Sequence, residues 1–227
     1  MTRAAALAAI LALGGWSAQA GCRQALALGL DVSSSVDAIE YNLQMTGLAQ
    51  ALDDPRVRRA LKGVGGGHVA LMVYEWSGQA HQVVVLPWIE VVDDAQVDYV
   101  IAVLGQHGRS ASNAPTALGH ALGFGAEQLA ASPDCLRQTL DISGDGVNNA
   151  GYRPKQALLN FDFSNITVNG LVVAGRDSGE LRQYYQQEVV YGADAFVEMA
   201  AGYGDYTRAI KRKLLRELTV LALSQLD

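Results

Sequence analysis

Leu30-Asp31-Val32-Ser33-Ser34-Ser35 is the stretch that decides how this chain is read. It closes an apolar run, Ala25 to Leu30, and opens a helical segment at Val36. A buried strand ending in Asp-x-Ser-x-Ser places one carboxylate and two hydroxyls on a single tight loop. These are hard oxygen ligands, the kind Mg²⁺ prefers. The stretch also has a plainer use, because Ser35 or Asp37 suits the cap of the helix that follows.

Outward from this loop, Val36, Ile39, Leu43, Leu48 and Leu52 recur at helical spacing until Asp54-Pro55 breaks the pattern. Val57 to Leu61 reads as a further short turn of helix. Gly63 to Gly67 follows a helix and opens a strand, the reverse of a phosphate-binding loop, and reads as a connection. Val69 to Trp76 and Gln82 to Leu86 are strands around a hairpin signal at Ser77-Gly78. Helices are expected at Asp94 to Leu104 (Val97, Ile101 and Leu104 inward), Thr116 to Ala131, Pro154 to Leu159 and Leu181 to Val189. Strands are expected at Leu136 to Ile142, Ile166 to Val173 and Ala195 to Met199. An amphipathic helix from Tyr206 to Leu223 turns Ile210, Leu214, Leu218 and Leu221 inward. Strands alternating with helices, plus one hairpin, predict an α/β fold. Its sheet is doubly wound and mostly parallel, with one antiparallel edge strand.

In such a sheet, ligands bind at the carboxyl ends of the strands, where the strand order reverses. Asp31, Ser33 and Ser35 lie at one such end. Asp145 follows another strand, between Gly144 and Gly146, and Thr116 follows the polar loop Gly105 to Pro115. Three separate loops thus offer five oxygen-bearing side chains to one point.

On these residues the sequence resembles the von Willebrand factor type A domain with its metal-ion-dependent adhesion site. That site is Asp-x-Ser-x-Ser on a first loop, Thr on a second and Asp on a third. Asp31, Ser33, Ser35, Thr116 and Asp145 match in order. The resemblance covers nearly all of the chain after residue 20, and is nearest to a group of small exported bacterial members of unknown function. Many relatives carry Thr before the third-loop Asp, where this chain has Gly144. The resemblance implies a Rossmann-like fold and Mg²⁺ as the cofactor, with Mn²⁺ or Ca²⁺ as substitutes. It also implies that Asp31 and Asp145 often act through bound water. Two carboxylates leave a divalent site near neutral, so an acidic residue of a partner protein is the expected further ligand.

The termini and bulk composition set limits. Arg3, the apolar Ala4 to Leu13 and the exit Ala18-Gln19-Ala20 have the form of a signal peptide cleaved after Ala20. That leaves one domain, residues 21–227, expected to be periplasmic or secreted. No other segment approaches the roughly 20 apolar residues of a membrane span. Ala20-Gly21-Cys22 also resembles the end of a lipidation signal, although Gln19 stands where Leu is usual. The only other cysteine is Cys135. If the strands after Cys22 and Cys135 are parallel neighbours, their starts lie about 5 Å apart, within disulfide reach. A disulfide and a lipid anchor exclude one another at Cys22. The net charge of -6, with one basic triplet at Lys211-Arg212-Lys213, argues against nucleic acid as a partner.

Glu75 and Trp76, at the end of a strand, and His120, one turn beyond Thr116, are candidates for the rim of the site. Trp88 and the pair Tyr184-Tyr185 are further candidates for rim or core. A metal-dependent hydrolase using the same Asp, Ser and Thr residues is the alternative function. It needs a general acid or base, for which His120 is the nearest candidate. No Gly-x-Ser-x-Gly, His-x-x-x-His or Cys-x-x-Cys motif is present. A module whose metal only stiffens the three loops is the third reading. Asn165-Ile166-Thr167 fits a glycosylation acceptor but borders an expected buried strand.

Overall fold

The computed structural model describes residues 21–63, 67–111, 113–174 and 178–223. Residues 1–20, which carry the expected signal peptide, the middle of the Gly63–Gly67 connection and the last four residues lie outside the described residues.

Ten consecutive buried residues, Cys22–Asp31, form strand β1 at the centre of the molecule. An unbroken buried run is what a parallel strand covered on both faces requires. Its neighbours are β2 (His68–Trp76) on one side and β4 (Gln138–Gly144) on the other, both parallel to it. Beyond them lie β3 (Gln82–Val91), antiparallel to β2, and β5 (Ile166–Val173) with β6 (Val197–Ala200). The sheet order is β3-β2-β1-β4-β5-β6, so the winding direction reverses at β1. This is the α/β architecture expected, with one antiparallel edge.

Among the described residues, seven α-helices cover the sheet: α1 (Ala38–Asp53), α2 (Pro55–Leu61), α3 (Asp94–Gln106), α4 (Leu118–Ala130), α5 (Pro154–Asn160), α6 (Ser178–Glu188) and α7 (Tyr206–Leu223). One face of β1 (Leu26, Leu28, Leu30) packs in a core with α1, α2, α3 and α7. The other (Ala25, Ala27) meets the core formed by α4, α5 and α6.

Several expectations need correction. The inner stripe of α1 is Tyr41, Gln44, Met45, Leu48, Ala51 and Leu52, whereas Ile39 is 70% exposed and Leu43 41%. Asp37 sets this register: it caps the helix by accepting from the Ile39 and Glu40 amides, with Glu40 reaching back to the Asp37 amide. In α3 the inward set is Val97, Val100 and Leu104, and Ile101 is only partly buried. Strand β3 continues through Pro87 to Val91. Proline is tolerated because β3 is an edge strand, where the missing donor breaks no interior ladder. Trp88 therefore lies inside the strand, donating its indole N–H to the Gln128 carbonyl at 3.1 Å. Strand β4 starts at Gln138, leaving Leu136 74% exposed.

Cys22 and Cys135 form a disulfide, with Cα atoms 4.6 Å apart. The Leu136 amide donates to the Cys22 carbonyl and Ala25 pairs with Gln138, so the starts of β1 and β4 adjoin as the parallel reading requires. Cys22 is thereby committed to the disulfide, which excludes a lipid anchor on the same sulfur.

Candidate metal centre

The switch in winding at β1 leaves a crevice at the carboxyl ends of β1 and β4. Asp31 is the last residue of β1 and is fully buried. One carboxylate oxygen, Oδ1, accepts from the Ser33 amide at 2.8 Å, and the other, Oδ2, is buried with no hydrogen-bond partner among the described residues. Asp145 directly follows β4. Thr116 lies two residues before α4 rather than inside it. Its amide donates to the Asn149 side chain at 2.9 Å, and this fixes it in the loop.

The side chains of all three loops meet. Thr116 Oγ1 lies 3.4 Å from Ser33 Oγ, Ser33 Oγ lies 3.1 Å from Ser35 Oγ, and the Ser35 hydroxyl donates to Asp145 Oδ1 at 2.6 Å. Four side-chain oxygens thus run in a chain beside the carboxylate of Asp31. Backbone lacing holds the loops in place. The Ser34 amide donates to the Ala114 carbonyl at 2.8 Å, and the Asn149 amide donates to the Thr116 carbonyl at 2.9 Å. Gln44 of α1 donates to the Asp31 carbonyl at 3.0 Å.

Electrostatics sharpen the picture. Burial, with the Asp145 carboxylate close by, pushes Asp31 up to about 7. Burial also raises Asp145. Two desolvated carboxylates beside three neutral hydroxyls lack the positive charge that would hold both ionised. The donor set suits a hard divalent cation: all oxygen, two of them anionic side chains, with one buried oxygen unsatisfied. Among the described residues, no group of three or more His, Cys, Asp or Glu side chains forms a metal-binding cluster. Any metal chemistry here depends on hydroxyls.

Of the rim candidates, Glu75 and Trp76 are fully buried and are not rim residues. The Glu75 carboxylate anchors the second loop, accepting from Tyr41 Oη at 2.7 Å, from the Ser110 amide at 3.0 Å and from the Ser110 hydroxyl. Trp76 packs in the core beneath the third loop. His120 packs against Tyr152 with the rings tilted by 32° and their centroids 3.8 Å apart, and its partial burial lowers its pKa.

Two further residues complete the site. Arg109 reaches from the second loop to the first, donating to the carbonyls of Val32 and Ser33 at 3.1 and 2.8 Å. Tyr185 of α6 is fully buried, and its hydroxyl fills the space next to Gly144. A Cβ on Gly144 would stand 2.6 Å from Tyr185 Oη and 3.0 Å from Asp31 Oδ2. A larger residue at 144 therefore has no room. No local pattern announces Arg109, whereas Tyr185 is one of the two tyrosines offered as rim or core, and it lies in the core. Beside Asp145 a cleft of about 620 Å³ opens, lined by Glu40, Val147, Leu181 and Tyr203.

A family model described as "Protein of unknown function (DUF1194)" matches residues 21–222. The chain belongs to the DUF1194 family. Among solved structures, this DUF1194 chain is similar to proximal thread matrix protein 1 from the mussel byssus, in a form with a zinc-occupied MIDAS motif. Identity is 13% and the TM-score 0.61, over 90% of this chain and 48% of that one. It is similar to a von Willebrand factor type A protein from Catenulispora acidiphila, at 13% identity and a TM-score of 0.62, over 87% and 43% of the two chains. It is also similar to the PilB minor pilin of Streptococcus sanguinis, at 12% identity and a TM-score of 0.63, over 88% and 63%. The DUF1194 chain spans about half the length of the byssus protein. Comparison with curated proteins gives no match. At these identities the likeness shows the fold alone: the DUF1194 chain has a von Willebrand factor A-like α/β fold.

Proposed function

We propose that this chain is an exported protein-binding module. It holds Mg²⁺ through Asp31, Ser33, Ser35, Thr116 and Asp145 and captures an acidic residue of a partner protein. The observation that carries this reading is the continuous chain of oxygens from Thr116 to Asp145, set against the buried, unpartnered Oδ2 of Asp31. Ser33, Ser35 and Thr116 contribute neutral donors, so the two carboxylates alone balance the ion's charge. A divalent cation bound there supplies a Lewis-acidic centre to which an outside carboxylate can bind. The cleft beside Asp145 gives room for the side chain that presents it. The lacing of the loops by Arg109, Asn149 and Gln44 keeps the donors in place without a ligand, which lowers the ordering cost of binding.

Export is supported by the Cys22–Cys135 disulfide, which persists in oxidising compartments. Among the described residues, no helix is long and apolar enough to cross a membrane. Residues 1–20 serve in this reading as the cleaved signal peptide.

The test is affinity capture from extracts of the exporting cell, with wild-type protein and Thr116→Ala in Mg²⁺ or in EDTA. A partner retained only by wild type and only in Mg²⁺ is the expected result. Equal retention in EDTA, or by Thr116→Ala, contradicts the reading.

A further inference from the structure

At the opposite end of the sheet, where the strands begin, lies a cavity of about 560 Å³. Its floor is made of side chains from β1, β4, β5 and α7: Gln24, Thr139, Asn169 and Glu217. All four are buried, and none belongs to the site described above. Gln24 and Asp31 stand at the two ends of β1, seven residues apart, a distance on the order of 20 Å.

Hydrogen bonding leaves an imbalance on this floor. Glu217 Oε1 accepts from the Asn169 amide group at 2.6 Å and from the Lys213 ammonium at 2.5 Å. The Gln24 amide group donates to Thr139 Oγ1 at 2.9 Å. Two acceptors on this floor, Glu217 Oε2 and Gln24 Oε1, have no hydrogen-bond partner among the described residues. Glu217 is 7% exposed and Gln24 2%, so neither is freely solvated. Lys213, itself fully buried, is shared between Glu217 and Asp141, and Arg137 and Arg216 also line the cavity. The exposed mouth carries both signs, with Asp194 and the guanidinium of Arg216, which stacks 3.7 Å from the centre of the Phe196 ring.

We propose that this cavity is a second ligand site, which takes a small molecule through a primary ammonium group. An ammonium offers three donors and one positive charge, which suit the unsatisfied oxygen of the Glu217 carboxylate and the unsatisfied Gln24 carbonyl of the same cavity. The volume is that of a small-molecule site, too narrow for a folded partner. A zwitterion would turn its carboxylate towards Arg216 at the mouth, and a diamine would turn its second ammonium towards Asp194.

Calorimetric titration of the disulfide-bonded protein with glycine, with 1,4-diaminobutane and with the N-acetyl form of each tests this. Saturable binding of at least one free amine, lost on N-acetylation, is expected. Glycine alone binding assigns a zwitterion, and the diamine alone assigns a polycation. Glu217→Gln should weaken binding at least about tenfold, as loss of a charge-assisted hydrogen bond does. Gln24→Met, which leaves the Lys213 ion cluster intact, should weaken it in the same direction. EDTA and Asp31→Ala should leave amine binding unchanged, which separates this site from the metal centre. No saturable binding of either amine, equal binding of the acetylated forms, or binding indifferent to both Glu217→Gln and Gln24→Met would overturn the proposal. So would loss of amine binding in Asp31→Ala.

Discussion

Asp31 ends a strand with its carboxylate sealed from water, and that placement has a pH signature. Its folded pKa of about 7 lies above the roughly 4 of an unfolded aspartate, so the folded, metal-free protein holds a proton that the unfolded chain releases. The resulting stability is fully present below about pH 4 and is lost as the pH rises through about 7. In EDTA, the urea midpoint of wild type should therefore fall between pH 5 and 8. Asp31→Asn should show a flatter profile and a higher midpoint at pH 8. A wild-type midpoint that rises over that range would contradict the assignment. Gly144 carries a second prediction at this scale, since its missing Cβ is what admits the Tyr185 hydroxyl. Gly144→Ala should destabilise by about 1–3 kcal/mol, the range for overpacking. Adding Tyr185→Phe should recover part of that loss in a double-mutant cycle read by urea denaturation.

At the level of elements, the Cys22–Cys135 bridge ties the first strand to the fourth across 113 residues. Closing a loop of that size stabilises by about 4–5 kcal/mol in the chain-entropy model. The double variant Cys22→Ser, Cys135→Ser should lower the unfolding free energy by an amount of that order, and an unchanged urea midpoint would contradict it. This bridge was legible in the sequence because only one partner existed for Cys22 and both cysteines precede apolar runs. The strands were legible for a similar reason: β1 carries the unbroken apolar run Ala25 to Leu30, which suits a strand buried on both faces. The orientation of α1 was not, because Ile39 and Leu43 mimic an inner stripe until the Asp37 cap sets the true register. Nor were the roles of Glu75 and Trp76. A strand's end looks exposed from sequence, and only the fold shows α1 and the second loop closing over one, and the third loop over the other. Arg109 acts across about 75 residues of chain, beyond any local pattern, and the sequence left Tyr185 open between rim and core until the fold buried it. By contrast, Asp31, Ser33, Ser35, Thr116 and Asp145 could be picked out because each sits just past a strand or just before a helix. The topology brings those positions together.

For the whole molecule, the account is of a von Willebrand factor A-like domain with two polar ends. The carboxyl end of the sheet gathers five oxygen-bearing side chains beside an open cleft, and the amino end holds a cavity with unsatisfied acceptors. The proposed adhesive function depends on the first of these being a cation site. Calorimetric titration of Mg²⁺ into the disulfide-bonded protein, set beside Asp31→Ala and Ser33→Ala, tests that claim most directly. The account predicts one saturable site in wild type, with proton release near neutral pH as Asp31 ionises, and no measurable binding in Asp31→Ala. Binding of equal affinity in wild type and Asp31→Ala, or no saturable binding in wild type, would contradict it.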